Sequence, residues 1–235
     1  MIRAWPASCH LLRAASNPYS HMSSVVVIDY GMGNLHSIAK ALQHANSAVN
    51  VSISADPAEI AAADRVVFPG VGAMRDCMHA LQTSGLDQVI QQVAQTKPLL
   101  GICLGMQALL TDSEEGGLIP CLNLFPGHVR RFADDLLDAQ GERLKIPHMG
   151  WNQVQQRPHP LWEGIPQDSR FYFVHSYYAI PDEQAHTIAT SEYPQAFTCA
   201  VARDNIFAVQ FHPEKSQTVG LRLLHNFLNW NGNPN

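Results

Sequence analysis

The feature that most constrains this chain is a stretch in which an apolar strand pattern passes directly into a helical pattern at one cysteine. The stretch runs from Lys97 to Leu110 and reads KPLLGICLGMQALL. Apolar residues continue up to Cys103, and helix-forming residues follow it without a break. This pattern predicts a buried strand that ends at Ile102 and a helix that begins at Leu104.

Two glycines flank the cysteine, Gly101 and Gly105, in the pattern G-x-C-x-G. This is the thiol version of a nucleophile elbow, a tight turn in which larger side chains would crowd the nucleophile. Such a turn places the sulfur over a helix N-terminus, where unpaired N–H groups favour the reactive thiolate. Five residues alone also fit a free cysteine that packs as a small hydrophobic residue.

Length and composition indicate an ordinary globular protein. The 235 residues, 46% of them hydrophobic, suffice for one large α/β domain, or less readily for two small ones. No apolar run reaches the roughly 18 residues that a membrane-spanning helix needs, so we expect no membrane segment. The net charge of −5 and the lack of a basic cluster argue against nucleic-acid binding.

The cysteines and histidines predict neither a disulfide framework nor a metal site. The five cysteines are odd in number and widely spaced, which indicates a reducing, cytoplasmic environment. The twelve histidines form no H-x-x-x-H or H-E-x-x-H pair. The cysteines are Cys9, Cys77, Cys103, Cys121 and Cys199.

Residues 1–23 differ in composition from the rest of the chain. They contain Arg3 and Arg13 and no acidic residue, as in an organelle transit peptide. A simpler explanation is an upstream start codon or a leader, with Met22 as the working start, and we prefer it because the core fold is predicted to begin at Val25. Either way we expect a peripheral N-terminal extension, followed by one domain over residues 24–232.

Strand patterns alternate with helical patterns through the first half of the chain. Strands are predicted at 25–28, 49–53, 65–68 and 98–102. A helix is predicted after each of the first two, two helices after the third, and a last helix over 216–229. This alternation predicts a flavodoxin-like, doubly wound, mostly parallel sheet with helices on both faces. Additional short, strand-like segments are expected at 171–178, 187–190, 197–201 and 206–211.

Reactive groups of such sheets gather beyond the carboxyl ends of the strands. The loops at 29–34, 69–73 and 101–105 should therefore meet in space. The Pro69-Gly70-Val71-Gly72 loop could turn its amides inward, together with the N–H of Leu104, to bind an oxyanion. Taken alone, the loop also fits an ordinary glycine turn.

A base for the thiol could come from the segment AVQFHPEK. His212 and Glu214 are two residues apart, and in an extended segment they would point to the same side. Glu214 could then hold one imidazole nitrogen while the other faces the sulfur. A polar cap at a strand end is the alternative for this short motif.

Together, P-G-V-G, G-I-C-L-G-M-Q and H-P-E resemble, in order and spacing, the class I (triad) glutamine amidotransferases over residues 24–230. The resemblance implies the fold of that family. It also implies that Cys103 is the nucleophile, that His212 is the general base and acid, and that Glu214 is the partner that orients His212. It implies an oxyanion hole and a glutamine site and requires no metal or organic cofactor. The oxyanion hole would be Gly70, Val71, Gly72 and Leu104, and the glutamine site Gln107, Glu115, His175, Ser176 and Tyr177.

Four segments are similar to the glutaminase subunits of imidazole glycerol phosphate synthases: DYGMGN, PHMGWN, YFVHSY and QFHPEKS. That similarity implies a heterodimer with a cyclase subunit, a (β/α)₈ barrel that receives ammonia and makes imidazole glycerol phosphate and AICAR in histidine biosynthesis. The residues implied to face the partner are Asn34, His148, Met149, Trp151, Tyr172 and Lys215. From composition alone, PHMGWN fits a buried loop with a tryptophan anchor as well as it fits an exposed interface segment.

Two other functions stay open at this point. The chain could be the glutaminase subunit of another synthase, such as pyridoxal phosphate synthase. It could also be an interaction module that has lost its activity, although intact Cys103, His212 and Glu214 speak against that.

Overall fold

The computed structural model describes residues 23–138 and 140–233. The extension predicted over residues 1–23 lies outside the described residues, except for Ser23. The strands are β1 (Ser24–Ile28), β2 (Asn50–Ser54), β3 (Arg65–Gly70), β4 (Leu99–Cys103), β5 (Asp112–Ser113), β6 (Ile119–Pro120), β7 (Gly127–Arg131), β8 (His148–Gln153), β9 (Gln155–Gln156), β10 (Arg170–His175), β11 (Tyr177–Pro181), β12 (Thr187–Glu192), β13 (Ala196–Arg203) and β14 (Ile206–Val209). The helices are α1 (Leu35–Ala45), α2 (Pro57–Ala62), α3 (Met74–Ser84), α4 (Leu86–Val93), α5 (Leu104–Gln107) and α6 (Gln217–Asn229).

Five parallel strands form the half of the main sheet that carries the candidate site. Their order is β2-β1-β3-β4-β14, and every neighbouring pair is parallel. This is the order of flavodoxin-like folds, with the fifth strand contributed from near the end of the chain. The four strands predicted in the first half of the chain are confirmed within one or two residues.

An antiparallel extension continues the same sheet from β14. Strands β13, β11 and β7 follow in antiparallel order, and β5 and β6 complete that side. Within the described residues the main sheet has 12 strands, and a separate antiparallel sheet consists of β8 and β10. The mostly parallel core with additional short antiparallel strands agrees with the predicted fold class.

The second half of the chain differs in detail from its prediction. The segment predicted as one strand over 171–178 is divided at Ser176 into β10 and β11, which belong to different sheets. Strands β7 and β8 were not predicted at all. Both carry glycine and polar residues where the apolar alternation of a strand is expected.

Helices cover both faces of the sheet because alternate residues of each strand point to opposite sides. Val25 and Val27 of β1 belong to the core cluster that includes α1 and α6. Val26 and Ile28 belong to the opposite cluster, with α2, α3 and α4. The protein is therefore a three-layer α/β structure, as the alternating pattern predicted.

Local sequence signals position several helix ends. The Asp56 side chain accepts a hydrogen bond from the Ala58 N–H at 2.8 Å, and Pro57 occupies the first helical turn, as predicted. In α6 the predicted apolar residues Leu224 and Leu228 are buried, whereas Leu221 is only half-buried.

The loops at the carboxyl ends of the parallel strands meet, as predicted. The Tyr30 hydroxyl donates a hydrogen bond to the Pro69 carbonyl at 3.0 Å. Gly70, the last residue of β3, is paired in register with Cys103, the last residue of β4. In the described part of the chain, no helix combines the length and the apolar character needed to cross a bilayer.

Candidate active site

The candidate nucleophile lies in a tight turn between a strand and a helix. Cys103 ends β4, one residue beyond the predicted end at Ile102, and α5 begins at Leu104, as predicted. The Cys103 backbone has a φ of 55°, a left-handed value that costs a non-glycine residue about 1–3 kcal/mol. The helix is short because the N–H groups of Leu109 and Leu110 bond to carbonyls three residues back. The turn holds the thiol, buried at 8% exposure, at the carboxyl edge of the sheet.

The glycines of the elbow allow backbone segments to approach closely. A Cβ atom on Gly105 would overlap the Phe68 carbonyl of β3. A Cβ atom on Gly101 would lie only 2.8 Å from the Cβ atom of Ala208 in β14. The G-x-C-x-G pattern is therefore required by packing on both sides of Cys103.

The candidate oxyanion loop follows β3 directly. The pairing of Gly70 with Cys103 places this loop next to the thiol. Gly72 has a φ of 96°, which favours glycine, and Val71, between Gly70 and Gly72, is 37% exposed. The position fits the predicted oxyanion role for Gly70, Val71, Gly72 and Leu104, which stays a prediction.

His212 and Glu214 form a closed pair after β14. His212 Nδ1 lies 2.9 Å from Glu214 Oε1, and the two side chains are 3% and 0% exposed. The predicted contact exists, but its geometric reason was wrong. The chain is extended at His212 and then forms a single 3₁₀ turn over Pro213–Lys215, and this turn brings the carboxylate back to the ring.

The second imidazole nitrogen is turned toward the thiol. Nε2 of His212 has no hydrogen-bond partner among the described residues. Burial lowers the pKa of His212, but the interactions with Cys103 and Glu214 outweigh it and raise that pKa to about 9. The thiol is thus near enough to stabilise the imidazolium, although Nε2 has no hydrogen-bond partner among the described residues. The ring is placed to exchange a proton with the sulfur.

A cavity of about 300 Å³ opens in front of the thiol, a size suited to a small polar substrate. It brings together the nucleophile, the base and every residue predicted to bind glutamine. Its lining includes Val71, Gly72, Cys103, Leu104, Gln107, Glu115, Pro147, Val174, His175, Ser176, Tyr177, His212 and Lys215.

The side-chain nitrogen of Gln107 is already hydrogen-bonded within the protein. Its Nε2 group donates to the Tyr177 carbonyl and to Gln210 Oε1, both at 2.9 Å. Gln210 Nε2 in turn lies 3.8 Å from the Cys103 sulfur. The predicted contact between Gln107 and substrate would therefore have to use its oxygen or its backbone. Gln210 was not predicted, although a glutamine within the apolar run 206–211 was a usable signal.

Glu115 also lines the cavity. Burial raises the pKa of Glu115, whereas the hydrogen bond that it accepts from the Met74 N–H at 2.9 Å lowers it, and nearby Asp76 raises it further. A carboxylate at this position could hold an ammonium group, and the role of Glu115 in binding glutamine stays a prediction.

Two buried histidines connect the cavity wall to the small sheet. His175 Nδ1 lies 2.8 Å from the Tyr177 carbonyl, and His175 Nε2 lies 2.9 Å from His148 Nδ1. Burial lowers the pKa of His175 to about 3 and that of His148 to about 4. Both rings are therefore neutral near pH 7.

The position of His148 differs from the expectation that it faces a partner. It is 4% exposed and hydrogen-bonded inward, whereas Met149 and Trp151 are 66% and 41% exposed. Residues alternate between the two faces of β8, so neighbours in PHMGWN cannot all point outward. The segment is thus an exposed strand instead of a buried loop, and His148 lies on its inner face.

The outer face of the small sheet carries an apolar stretch that borders the cavity. Trp151 is paired with Tyr172 and Met149 with Val174. The Trp151 and Tyr172 rings lie 6.1 Å apart, and the Lys215 ammonium lies 5.8 Å from the Tyr172 ring. Val174 and Lys215 also line the cavity. We call Met149, Trp151, Tyr172, Val174 and Lys215 the outer patch.

Asn34, also predicted to face a partner, is a half-buried residue at the N-terminus of α1. No cluster of three or more histidine, cysteine, aspartate or glutamate side chains suited to a metal ion occurs in residues 23–138 or 140–233.

Comparison with known proteins identifies the family. Residues 26–230 match the family model described as glutamine amidotransferase class-I. The imidazole glycerol phosphate synthase subunit HisH of Methylococcus capsulatus is 64% identical over 211 residues, 89% of this chain and 97% of that protein. The protein of the same name from Nitrosococcus oceani is 59% identical over 212 residues, 90% of this chain and 99% of that one.

A solved structure shares the fold. The structure of PurLQS from Thermotoga maritima superposes with a TM-score of 0.65 over 88% of this chain and 98% of the matched chain, at 15% sequence identity. The chain belongs to the class I glutamine amidotransferase family and, within it, to the HisH subunits of imidazole glycerol phosphate synthase.

Proposed function

We propose that this chain is the glutaminase subunit of an imidazole glycerol phosphate synthase, hydrolysing glutamine to glutamate and supplying ammonia to a second subunit. The observation that carries the proposal is the convergence of Cys103 and His212 on one cavity, with Glu214 buried behind His212 and paired with it, in a HisH family member. The relatives' shared name favours this function over a glutaminase for pyridoxal phosphate synthase.

The proposed reaction begins with transfer of the thiol proton to His212. The Cys103 thiolate attacks the side-chain amide carbon of glutamine, and the carbonyl oxygen becomes an oxyanion. Backbone N–H groups of the loop after β3 and of Leu104 lie where they could stabilise that charge. Removal of one such donor typically costs about 10²–10³ in rate.

Collapse of this intermediate breaks the C–N bond. Ammonia leaves with the proton from His212, and a glutamyl thioester on Cys103 remains. His212 then removes a proton from water, which attacks the thioester and releases glutamate with the thiol restored. Glu214 keeps the imidazole oriented throughout, and the proposal requires no cofactor or metal.

The cavity suits the ends of free glutamine. We assign its α-ammonium group to the Glu115 carboxylate and its α-carboxylate to backbone groups of residues 175–177. Gln107 contributes its remaining oxygen or backbone, since its Nε2 group is bonded to protein.

We further propose that the partner is a cyclase subunit with a (β/α)₈ barrel. The outer patch supports this proposal, because exposed aromatic side chains beside a catalytic cavity are typical of interface hot spots. Ammonia released at Cys103 would pass across this face into the barrel. There it would combine with phosphoribulosyl-formimino-AICAR-phosphate and yield imidazole glycerol phosphate and AICAR.

We place the complex in the cytoplasm and the working domain at residues 24–232. The thiols Cys77, Cys103, Cys121 and Cys199 are all free. A reducing compartment preserves such thiols.

The decisive experiment measures glutamate release by the full chain alone, with the cyclase subunit, and with the cyclase subunit plus its nucleotide ligand. We expect release to require the partner and to increase with the ligand. Failure to co-elute with the cyclase subunit, or release that is unchanged in Cys103→Ala, would contradict the proposal.

A further inference from the structure

We propose that Gln210 is a positioning residue, one that donates a hydrogen bond to the Cys103 sulfur and thereby favours its thiolate form. This inference deepens the proposed function and depends on it for its effect on glutamine turnover. The hydrogen bond itself can be tested without substrate or partner.

Strand register brings the two side chains together. Strands β14 and β4 are parallel neighbours, with Val209 paired to Ile102. Gln210 follows Val209 and Cys103 follows Ile102, so these two residues lie side by side at the carboxyl edge of the sheet. Gln210 Nε2 lies 3.8 Å from Cys103 Sγ, and Gln210 is completely buried. Because buried polar groups are nearly always hydrogen-bonded, the buried Nε2 group of Gln210 is expected to donate to the sulfur beside it.

The neighbouring hydrogen bonds determine which end of the Gln210 amide faces the sulfur. The Tyr177 carbonyl can only accept, so Gln107 presents its Nε2 group to it. The same Nε2 group donates to Gln210 at 2.9 Å, which makes the near atom of Gln210 its oxygen. Gln210 Nε2 is left to face the sulfur.

Two neutral histidines extend this directed chain to the small sheet. The Tyr177 carbonyl also accepts from His175 Nδ1. His175 Nε2 must then accept from His148 Nδ1, and His148 Nε2 accepts from Asn152 Nδ2 at 3.2 Å. Each neutral ring donates once and accepts once, so these bonds run from Asn152 to the Tyr177 carbonyl, which accepts from His175 on one side and from Gln107 on the other. The Gln210 amide is thus anchored, through Gln107 and the Tyr177 carbonyl, to a hydrogen-bonded network.

The sulfur consequently has two stabilising neighbours, the His212 ring and the Gln210 amide. An N–H group donated to a thiolate favours the charged form, and its loss favours the neutral thiol. Other titratable groups couple to the thiol or line the cavity with it, and a substitution at 210 replaces none of them. They are Tyr30, Glu115, His175, Tyr177 and Lys215.

The test measures the rate of alkylation of Cys103 by iodoacetamide in the full chain between pH 5 and 10, followed by mass spectrometry of the Cys103 peptide. Gln210→Met keeps the length of the side chain but removes the donor. We expect the midpoint of its pH profile to move up by about one unit, so that alkylation below the midpoint slows about tenfold. Gln210→Glu, which adds a negative charge, should move it further.

Gln88→Glu, an exposed change in α4, is the control and should leave the profile unchanged. A folded Gln210→Met variant whose profile coincides with that of the unmodified chain would overturn the proposal. If neither variant folds, the side-chain amide resonance of Gln210 in the ¹⁵N-labelled unmodified chain decides. The chemical shift of this resonance should change as Cys103 titrates, and in Cys103→Ser it should stay constant over the same pH range. A chemical shift that does not change in the unmodified chain would overturn the proposal.

This readout separates the inference from the proposed function. Alkylation needs neither glutamine nor a cyclase subunit, so an absent glutaminase activity would leave it interpretable. Kinetics in the reconstituted pair add a second readout. In Gln210→Met the kcat should be lower at low pH and return to the value of the unmodified chain at high pH, and the KM for glutamine should stay within about twofold.

Discussion

His212 Nδ1 lies 2.9 Å from Glu214 Oε1, and a single 3₁₀ turn joins the two residues. Both side chains are shielded from water, so the carboxylate interacts with the imidazolium at low local dielectric. A buried acceptor at this distance fixes the tautomer that leaves Nε2 toward the thiol. The pair can therefore orient the base and also stabilise its charged form.

Glu214→Gln should lower glutamine hydrolysis by about 10²–10⁴-fold, because the amide permits the wrong tautomer, as in triads that lose their carboxylate. The raised pKa of His212, about 9 in the unmodified chain, should fall toward its ordinary value. Steady-state kinetics and the ¹⁵N shifts of the ring measure the two effects. Unchanged kcat in a folded variant would contradict the orienting role.

Cys103→Ala should abolish glutamine-dependent synthesis in the reconstituted pair and leave synthesis from added ammonium salts intact. The reason is that the thiol takes part only in the release of ammonia. Cys77→Ala, a buried thiol on α3 outside the cavity lining, is the matched control for loss of a sulfur. Equal loss of both activities in Cys103→Ala would argue against two separable sites.

Trp151→Ala should weaken association with the cyclase subunit by about 1–3 kcal/mol, as for an aromatic hot spot. The ring is 41% exposed, so its removal should leave the fold intact. Isothermal titration calorimetry measures the affinity, and thermal unfolding checks the fold. Ile180→Ala, at 42% exposure on β11, is the control for loss of exposed apolar area, and equal effects of the two changes would count against the outer patch.

The protein should lose stability as the pH falls from about 6.5 toward 4. Burial lowers the pKa of His148 and His159 to about 4 and of His175 to about 3. Below pH 6.5 the unfolded chain binds protons that the folded chain refuses, and each histidine contributes up to about 1.4 kcal/mol per pH unit. His212 acts oppositely: its raised pKa stabilises the fold below pH 6.5, and that contribution is lost as the pH rises through about 9.

Urea unfolding at several pH values tests this slope. The His159 ring packs against Phe207 and Trp230, and its Nε2 atom lacks a partner among the described residues. His159→Phe should therefore make the acid slope shallower by the contribution of one histidine. His79→Gln, exposed on α3, is the control, and a slope that is equally steep in His159→Phe would refute the assignment.

Local patterns were sufficient where neighbouring residues decide the structure. The apolar run before Cys103 and the glycines around it predicted the strand, the turn and the helix start. Asp56 and Pro57 predicted a helix end. These features depend on backbone sterics and on hydrogen bonds within a few residues, which a short window of sequence contains.

Predictions became less accurate where contacts are distant in the chain. The 171–178 segment was predicted as one strand, but Ser176 separates two strands that pair with different partners. Gln210 was missed because its role depends on Gln107 and Cys103, which lie about one hundred positions away. His148 was expected to face outward, and the side of β8 that it occupies depends on pairing with β10.

The sequence by itself determined the order of strands and helices, the elbow at Cys103 and, through family resemblance, the identity of the base and its carboxylate. Only the tertiary structure decided which side chains share the cavity, which end of each amide faces the sulfur, and which residues of PHMGWN remain exposed. The physical reason is that periodicity and turn chemistry are local properties of the chain. Register between strands, burial and the direction of a hydrogen-bond chain arise only when segments far apart in sequence pack together.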